Sequence, residues 1–86
     1  MVTKKCGNKK NITGTIIKQA RESKRITKTE LSHRLELYGI YLHRNELYRI
    51  ENNLVLIKDF ELLALACILD IDLNQIKDCI NWESLK

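Results

Sequence analysis

Two short amphipathic segments joined by a turn, spanning Leu31 to Asn53, set what this chain can become. Leu31 and Leu35 recur at helical spacing before Gly39, and Leu47, Ile50 and Leu54 do so after it. Each segment has one stripe to bury, and the turn between them lets the stripes face a common core. Two such stripes are hidden most simply by packing helix on helix.

The same period extends through the rest of the chain. A first helix is predicted from about Gly14 to Lys24, with Ile16, Ile17 and Ala20 on one side, ending before Ile26. Thr27, with Glu30 three residues on, forms a capping-box pattern for a second helix that should run to Leu37 or Tyr38. Gly39 permits a turn, Ile40 and Leu42 tuck that turn against the core, and a third helix follows from about His43 to Asn52. Asp59 is read as the cap of a fourth helix reaching Leu69, whose almost unbroken apolar content places it at the centre of the domain. Asp72 and Gln75 open a fifth, with Leu73, Ile76 and Ile80 as its stripe, which Trp82 and Leu85 extend. No run alternates in the manner of a strand flanked by hairpin turns, so the class is all-α: a compact five-helix domain over residues 14–80. Residues 1–13 read as a flexible basic tail, and residues 81–86 as a C-terminal tail and candidate dimer contact.

At 86 residues there is one modest core and no room beside it for a catalytic or ligand-sensing domain. The longest apolar runs are too short to cross a bilayer, and the first dozen residues lack the apolar core of a secretory signal, so no membrane association and a cytoplasmic location are expected. Cys6, Cys67 and Cys79 are odd in number and fall at no zinc-site spacing. Cys67, inside the apolar run Leu62 to Leu69, is read as a buried small hydrophobe, and His33 and His43 as exposed or capping side chains. No metal or cofactor is expected. Without a nucleophile–base pair, carboxylate dyad or glycine-rich phosphate loop, an enzyme is not expected either.

Charge is unevenly spread. Residues 1–10 carry Lys4, Lys5, Lys9 and Lys10 for a net +4, residues 11–58 another +4, and residues 59–86 a net −4. One end should attract polyanions and the other should not. The third helix lies in the basic part and turns Leu47 and Ile50 inward, leaving Arg44, Asn45, Tyr48 and Arg49 outward. Arginine can donate two hydrogen bonds to guanine O6 and N7, and asparagine can pair with adenine N6 and N7, so this face suits a duplex major groove. Glu51 lies four residues after Leu47, and Arg21 four after Ile17, so opposite charges fall at the edges of two apolar faces. An ion pair between the first and third helices is predicted.

With these residues placed, Gly14 to Ile76 resembles the phage-repressor helix-turn-helix family, also called the Cro or XRE family. The resemblance rests on Gly14-x-x-Ile17-x-x-Ala20-Arg21, on Ile26-Thr27-Lys28-Thr29-Glu30-Leu31-Ser32, and on Leu47-Tyr48-Arg49-Ile50-Glu51-Asn52. It continues through Asp59-Phe60-Glu61-Leu62-Leu63-Ala64-Leu65-Ala66 and Leu69-Asp70-Ile71-Asp72-Leu73-Asn74-Gln75-Ile76. What it implies is a repressor-like domain with the third helix as the recognition helix. Carried over position by position, Arg44, Asn45 and Arg49 match base-reading sites, Lys28 matches a phosphate contact, and Arg21 with Glu51 matches an interhelical ion pair. Tyr48 and Asn52 are assigned to the DNA backbone. The implied partners are double-stranded DNA and, because one module offers a small interface, a second copy in a homodimer.

Three departures carry expectations of their own. Glycine is usual where Arg25 and Asn53 stand, and arginine tolerates a left-handed backbone poorly, so the first turn is expected to differ. Seven residues separate Leu35 from His43, implying a longer second helix or a larger loop. Leu54-Val55-Leu56-Ile57 stands where relatives often have a basic loop, making it a candidate protein contact. The alternative function is therefore an antitoxin or adaptor that uses the same fold to bind another protein.

Overall fold

The computed structural model describes residues 10–77, and among them there are five helices and no strand. These are α1 (Gly14–Ser23), α2 (Lys28–Glu36), α3 (Arg44–Glu51), α4 (Asp59–Leu69) and the short α5 (Leu73–Lys77). The N-terminal tail through Lys9, the candidate contacts Ile80, Trp82 and Leu85, and the side chains of Leu73 and Gln75 lie outside the described residues. The class is all-α.

The helix starts follow local hydrogen-bond chemistry. Thr27 Oγ1 accepts the Glu30 N–H at 3.0 Å, while the Glu30 carboxylate goes to Arg34 at 2.7 Å. At α3 the His43 N–H donates to Glu46 Oε1 at 3.0 Å, satisfying an amide the helix itself cannot. The same device opens α4 one residue earlier than expected, because the Lys58 N–H donates to Glu61 Oε1 at 3.0 Å. Lys58 is thus the N-cap, and Asp59, expected as the cap, is the first helical residue.

The first four helices end alike. Just beyond each, an N–H is returned to a carbonyl five residues back: Ile26 to Arg21, Ile40 to Leu35, Leu54 to Arg49 and Ile71 to Ala66. This closure needs a left-handed residue just before, and Arg25 (φ 58°), Gly39 (φ 76°), Asn53 (φ 62°) and Asp70 (φ 57°) supply it. The first turn therefore does not avoid the left-handed region, contrary to expectation. Arg25 is held there by its bonded neighbours and by the burial of Ile26. Gly39 also stops α2 at Glu36, short of the expected Leu37 or Tyr38, and the extra residues form the larger connection that carries Ile40 and Leu42 into the core.

Ile17, Leu31, Leu35, Leu47 and Leu65 are fully buried, with Ile50 and Leu69 nearly so, and they draw α1 to α4 around one core. The expectation of a central α4 needs correcting. It packs on α1 and α2 along one side only, burying Glu61, Ala64, Leu65 and Leu69. Phe60, Leu63 and Cys67 point away from that side and are exposed, so Cys67 is a free surface thiol and not a core residue. An all-apolar helix does not specify which stripe goes inward; the positions of α1 and α2 do.

One tie has no counterpart in the helical pattern. Asn11 Oδ1 accepts the N–H groups of Thr13 (3.2 Å) and Gly14 (2.8 Å), while its Nδ2 donates to the carbonyls of Ile50 (3.1 Å) and Val55 (2.8 Å). Beside it the Lys10 N–H donates to the Asn53 carbonyl at 3.0 Å. The start of α1 is thereby fixed onto the end of α3, so closely that a Cβ on Gly14 would fall on the Ile50 carbonyl.

Candidate nucleic-acid interface

At about 100° per residue, Arg44, Tyr48, Asn45, Arg49 and the cap residue Asn52 fall within an arc of about 140° on α3, with Leu47 and Ile50 on the other side and Glu51 at the edge next to Arg44. The structure turns the first set to solvent and buries the second. Glu51 is 3% exposed, and Arg21 reaches it from α1 with Nε to Oε2 at 2.7 Å and Nη2 to Oε1 at 3.1 Å. Arg21 Nη1 also donates to the Ile26 carbonyl at 2.8 Å, so one guanidinium ties α3, α1 and the first turn together. Its hydrogen bonds to Glu51 hold the Arg21 guanidinium above its ordinary value, outweighing the opposite effect of burial. A two-point bond between planar groups fixes rotation as well as distance. The pair therefore sets which face of α3 looks outward.

Lys28, Arg44, Asn45 and Tyr48 come together along an open groove of about 460 Å³, with Thr27 and Thr29 on the α2 wall and Arg21 at its base. A second depression of about 470 Å³ lies on the other side of Arg44 and Asn45, bounded by Ser32, His33, Glu36 and His43. Arg44 and Asn45 thus border both. Ser32 Oγ donates to the Leu42 carbonyl at 2.5 Å, clamping the connection to α2 where it delivers His43 and the start of α3. The α2 N-terminus, with the partial positive charge of its unbonded amides, opens beside Lys28, so the groove favours an anion.

The remaining candidates are placed apart. Arg49 borders a smaller depression of about 240 Å³ with Leu42, Glu46, Val55, Leu56, Lys58 and Glu61, toward the α3–α4 connection. Asn52 is exposed, and its Nδ2 donates to the Tyr48 carbonyl at 2.8 Å, within its own helix turn. Asn11 and Ser32, which position α3 without belonging to its exposed face, are absent from the sequence-derived site. The signal for Asn11 was an Asn three residues before a helix-starting Gly, an arrangement that lets the side chain bond the first helix amides.

Among the described residues, no cluster of His, Cys, Asp or Glu could hold a metal ion, and no helix is long and apolar enough to cross a membrane. A capped α2, a connection anchored by buried Ile40 and Leu42, and an α3 with an exposed Arg/Asn face over a cationic groove define a helix-turn-helix domain of the DNA-docking class. The comparison with known families agrees: residues 17–76 match the helix-turn-helix family, and the chain belongs to it, in its Cro or XRE branch. No curated protein and no solved structure matches. The family is one of DNA-binding regulators and not of enzymes.

Proposed function

We propose that the protein is a sequence-specific double-stranded DNA-binding regulator, repressor-like in blocking promoter sites by occupancy. In this reading α3 enters the major groove, Arg44, Asn45 and Arg49 contact base edges, and Lys28, Tyr48 and Asn52 contact phosphates. The basic tail with Lys4, Lys5, Lys9 and Lys10 adds to phosphate neutralisation. The protein works as a homodimer on two half-sites, in the cytoplasm. The observation that carries the reading is the shared groove of Lys28, Arg44, Asn45 and Tyr48 on a helix locked by the Arg21–Glu51 pair.

Duplex selection from random DNA, followed by titration across salt, tests it. Affinity falls steeply with salt, and Lys28→Ala reduces the log–log slope by about 1. Arg44→Ala costs about 1–3 kcal/mol and relaxes preference at one base pair, while Arg49→Ala alters preference at another. Binding that ignores both salt and these substitutions overturns the reading. A protein-binding role as an antitoxin or adaptor is the second reading, favoured by Leu54 and Leu56, which are 56% and 76% exposed beside the Arg49 depression. It gains if no duplex binds at low salt.

A further inference from the structure

Among the described residues, a largely apolar surface lies away from the α2–α3 groove. Tyr38, Ile40, Phe60, Leu63, Ala64 and Cys67 line an open depression of about 360 Å³ between the α2–α3 turn and the outward side of α4. Tyr38, Phe60 and Leu63 are 55%, 52% and 60% exposed, and Leu37 and Tyr41 in the same connection are exposed still further. On α4 the apolar positions 60, 63 and 67 follow the i, i+3, i+7 spacing of a helix stripe and lie exposed, away from the side that packs on α1 and α2 among the described residues.

The charges at the two ends of this stripe are opposite. Lys58 Nζ lies 5.8 Å from the centroid of the Phe60 ring, at the N-terminal end of the stripe. Asp70 is exposed in its left-handed cap at the other end. Asp59, next to Lys58, turns its Oδ1 to the Phe60 N–H at 2.6 Å, into its own helix start. A surface with a cation at one end, an anion at the other and apolar side chains between is complementary to itself under a twofold rotation. We infer that α4 is an isologous dimer interface, with a second copy of this chain as occupant. Two α4 helices run antiparallel, Phe60 of each copy packing toward Cys67 of the other, Leu63 at the axis, and Lys58 of each facing Asp70 of the other. Antiparallel helix dipoles favour the same arrangement.

This deepens the homodimer part of the DNA-binding reading, but it is tested without DNA. Sedimentation equilibrium of the full chain gives a dimer, and Leu63→Glu, at an exposed site, leaves the helical circular dichroism and melting temperature in place. Because each copy contributes the change, it weakens the dimer by roughly a hundredfold or more. Lys58→Glu weakens it, Asp70→Asn alone weakens it, yet Asp70→Asn added to Lys58→Glu recovers part of the loss by removing a repulsion. In a chain with Cys6 and Cys79 changed to Ser, the two Cys67 sites stand about 10–12 Å apart by helix rise. A bismaleimide of that span cross-links them, and direct oxidation does not.

A monomer at all concentrations overturns the inference, as does a dimer indifferent to Leu63→Glu and to the charge changes. A monomer whose Cys67 becomes more reactive on removing residues 78–86 overturns it in favour of the chain's own C-terminal segment. Duplex titration of the same variants keeps the two readings apart: a monomer that binds DNA defeats only the α4 interface, and a dimer that ignores DNA defeats only the DNA reading.

Discussion

The turns that leave α1 and α3 have the same backbone and opposite fates. Both close with an N–H returned five residues back, and both put a non-glycine residue in the left-handed region, Arg25 in one and Asn53 in the other. The apolar residue that follows is 6% exposed after α1, at Ile26, and 56% exposed after α3, at Leu54. The corresponding residues after α2 and α4, Ile40 and Ile71, are buried like Ile26. A helix stop can therefore be fixed by backbone geometry alone, while what the stop contributes to stability depends on whether its apolar residue reaches the core. The turn after α3 is a stop without an anchor, beside the helix assigned to DNA.

The comparison can be broken most strongly at the residue that holds the first turn from inside. Arg21→Ala leaves Glu51 buried without its partner and frees the Ile26 carbonyl, at a cost of about 3–5 kcal/mol in urea or thermal unfolding. Replacing Arg21 and Glu51 together by Met and Leu costs far less than either alanine substitution, since no unpaired charge remains. A single substitution no worse than the double one would mean that the pair contributes nothing through burial.

Next come the two apolar residues themselves. Ile26→Ala is expected to cost about 2–5 kcal/mol, whereas Leu54→Ala stays within about 0.5 kcal/mol. Equal losses at the two positions would erase the distinction between the turns. At the left-handed positions the effects are smaller and reversed in sign. Arg25→Gly should stabilise by up to about 1 kcal/mol, because relief of the backbone strain exceeds the added chain entropy. Asn53→Gly changes stability by only a few tenths, since asparagine already tolerates that conformation.

The smallest expected effect is a null one. The Arg21 pKa is raised on folding, so the stability linked to its charge is present at every pH below the unfolded guanidinium value and is lost only in strong alkali. Its ionisation therefore gives the unfolding free energy no slope between about pH 6 and 9. A slope in that window that disappears in Arg21→Met would contradict the sign.

Helix positions were largely legible in the sequence because each depends on neighbours a few residues away. Thr27 three residues before Glu30, and the four-residue spacings around Leu47 and Ile17, are local facts that place a cap and two helix faces. The outward side of α4 was not legible. With Phe60, Leu63 and Cys67 as apolar as Ala64, Leu65 and Leu69, only the packing of α1 and α2 decides which stripe is covered. The conformation of Arg25 was misread for a related reason: residue preference argued against the left-handed region, and closure of the turn over buried Ile26 outweighed it. In the site, helix period grouped Arg49 with Arg44 and Asn45, but the α3–α4 connection rises beside Arg49 and gives it different neighbours.

The bonds of Asn11 also bear on how the molecule can be handled. Whatever chain precedes Lys10 is delivered to the Asn53 end of α3, since Lys10 and Asn11 are bonded there. An affinity tag or fluorescent protein fused at the N-terminus would be tethered at the edge of α3. The same fusion at the other terminus would follow residues 78–86, which continue from α5, an element not among the close neighbours of α3.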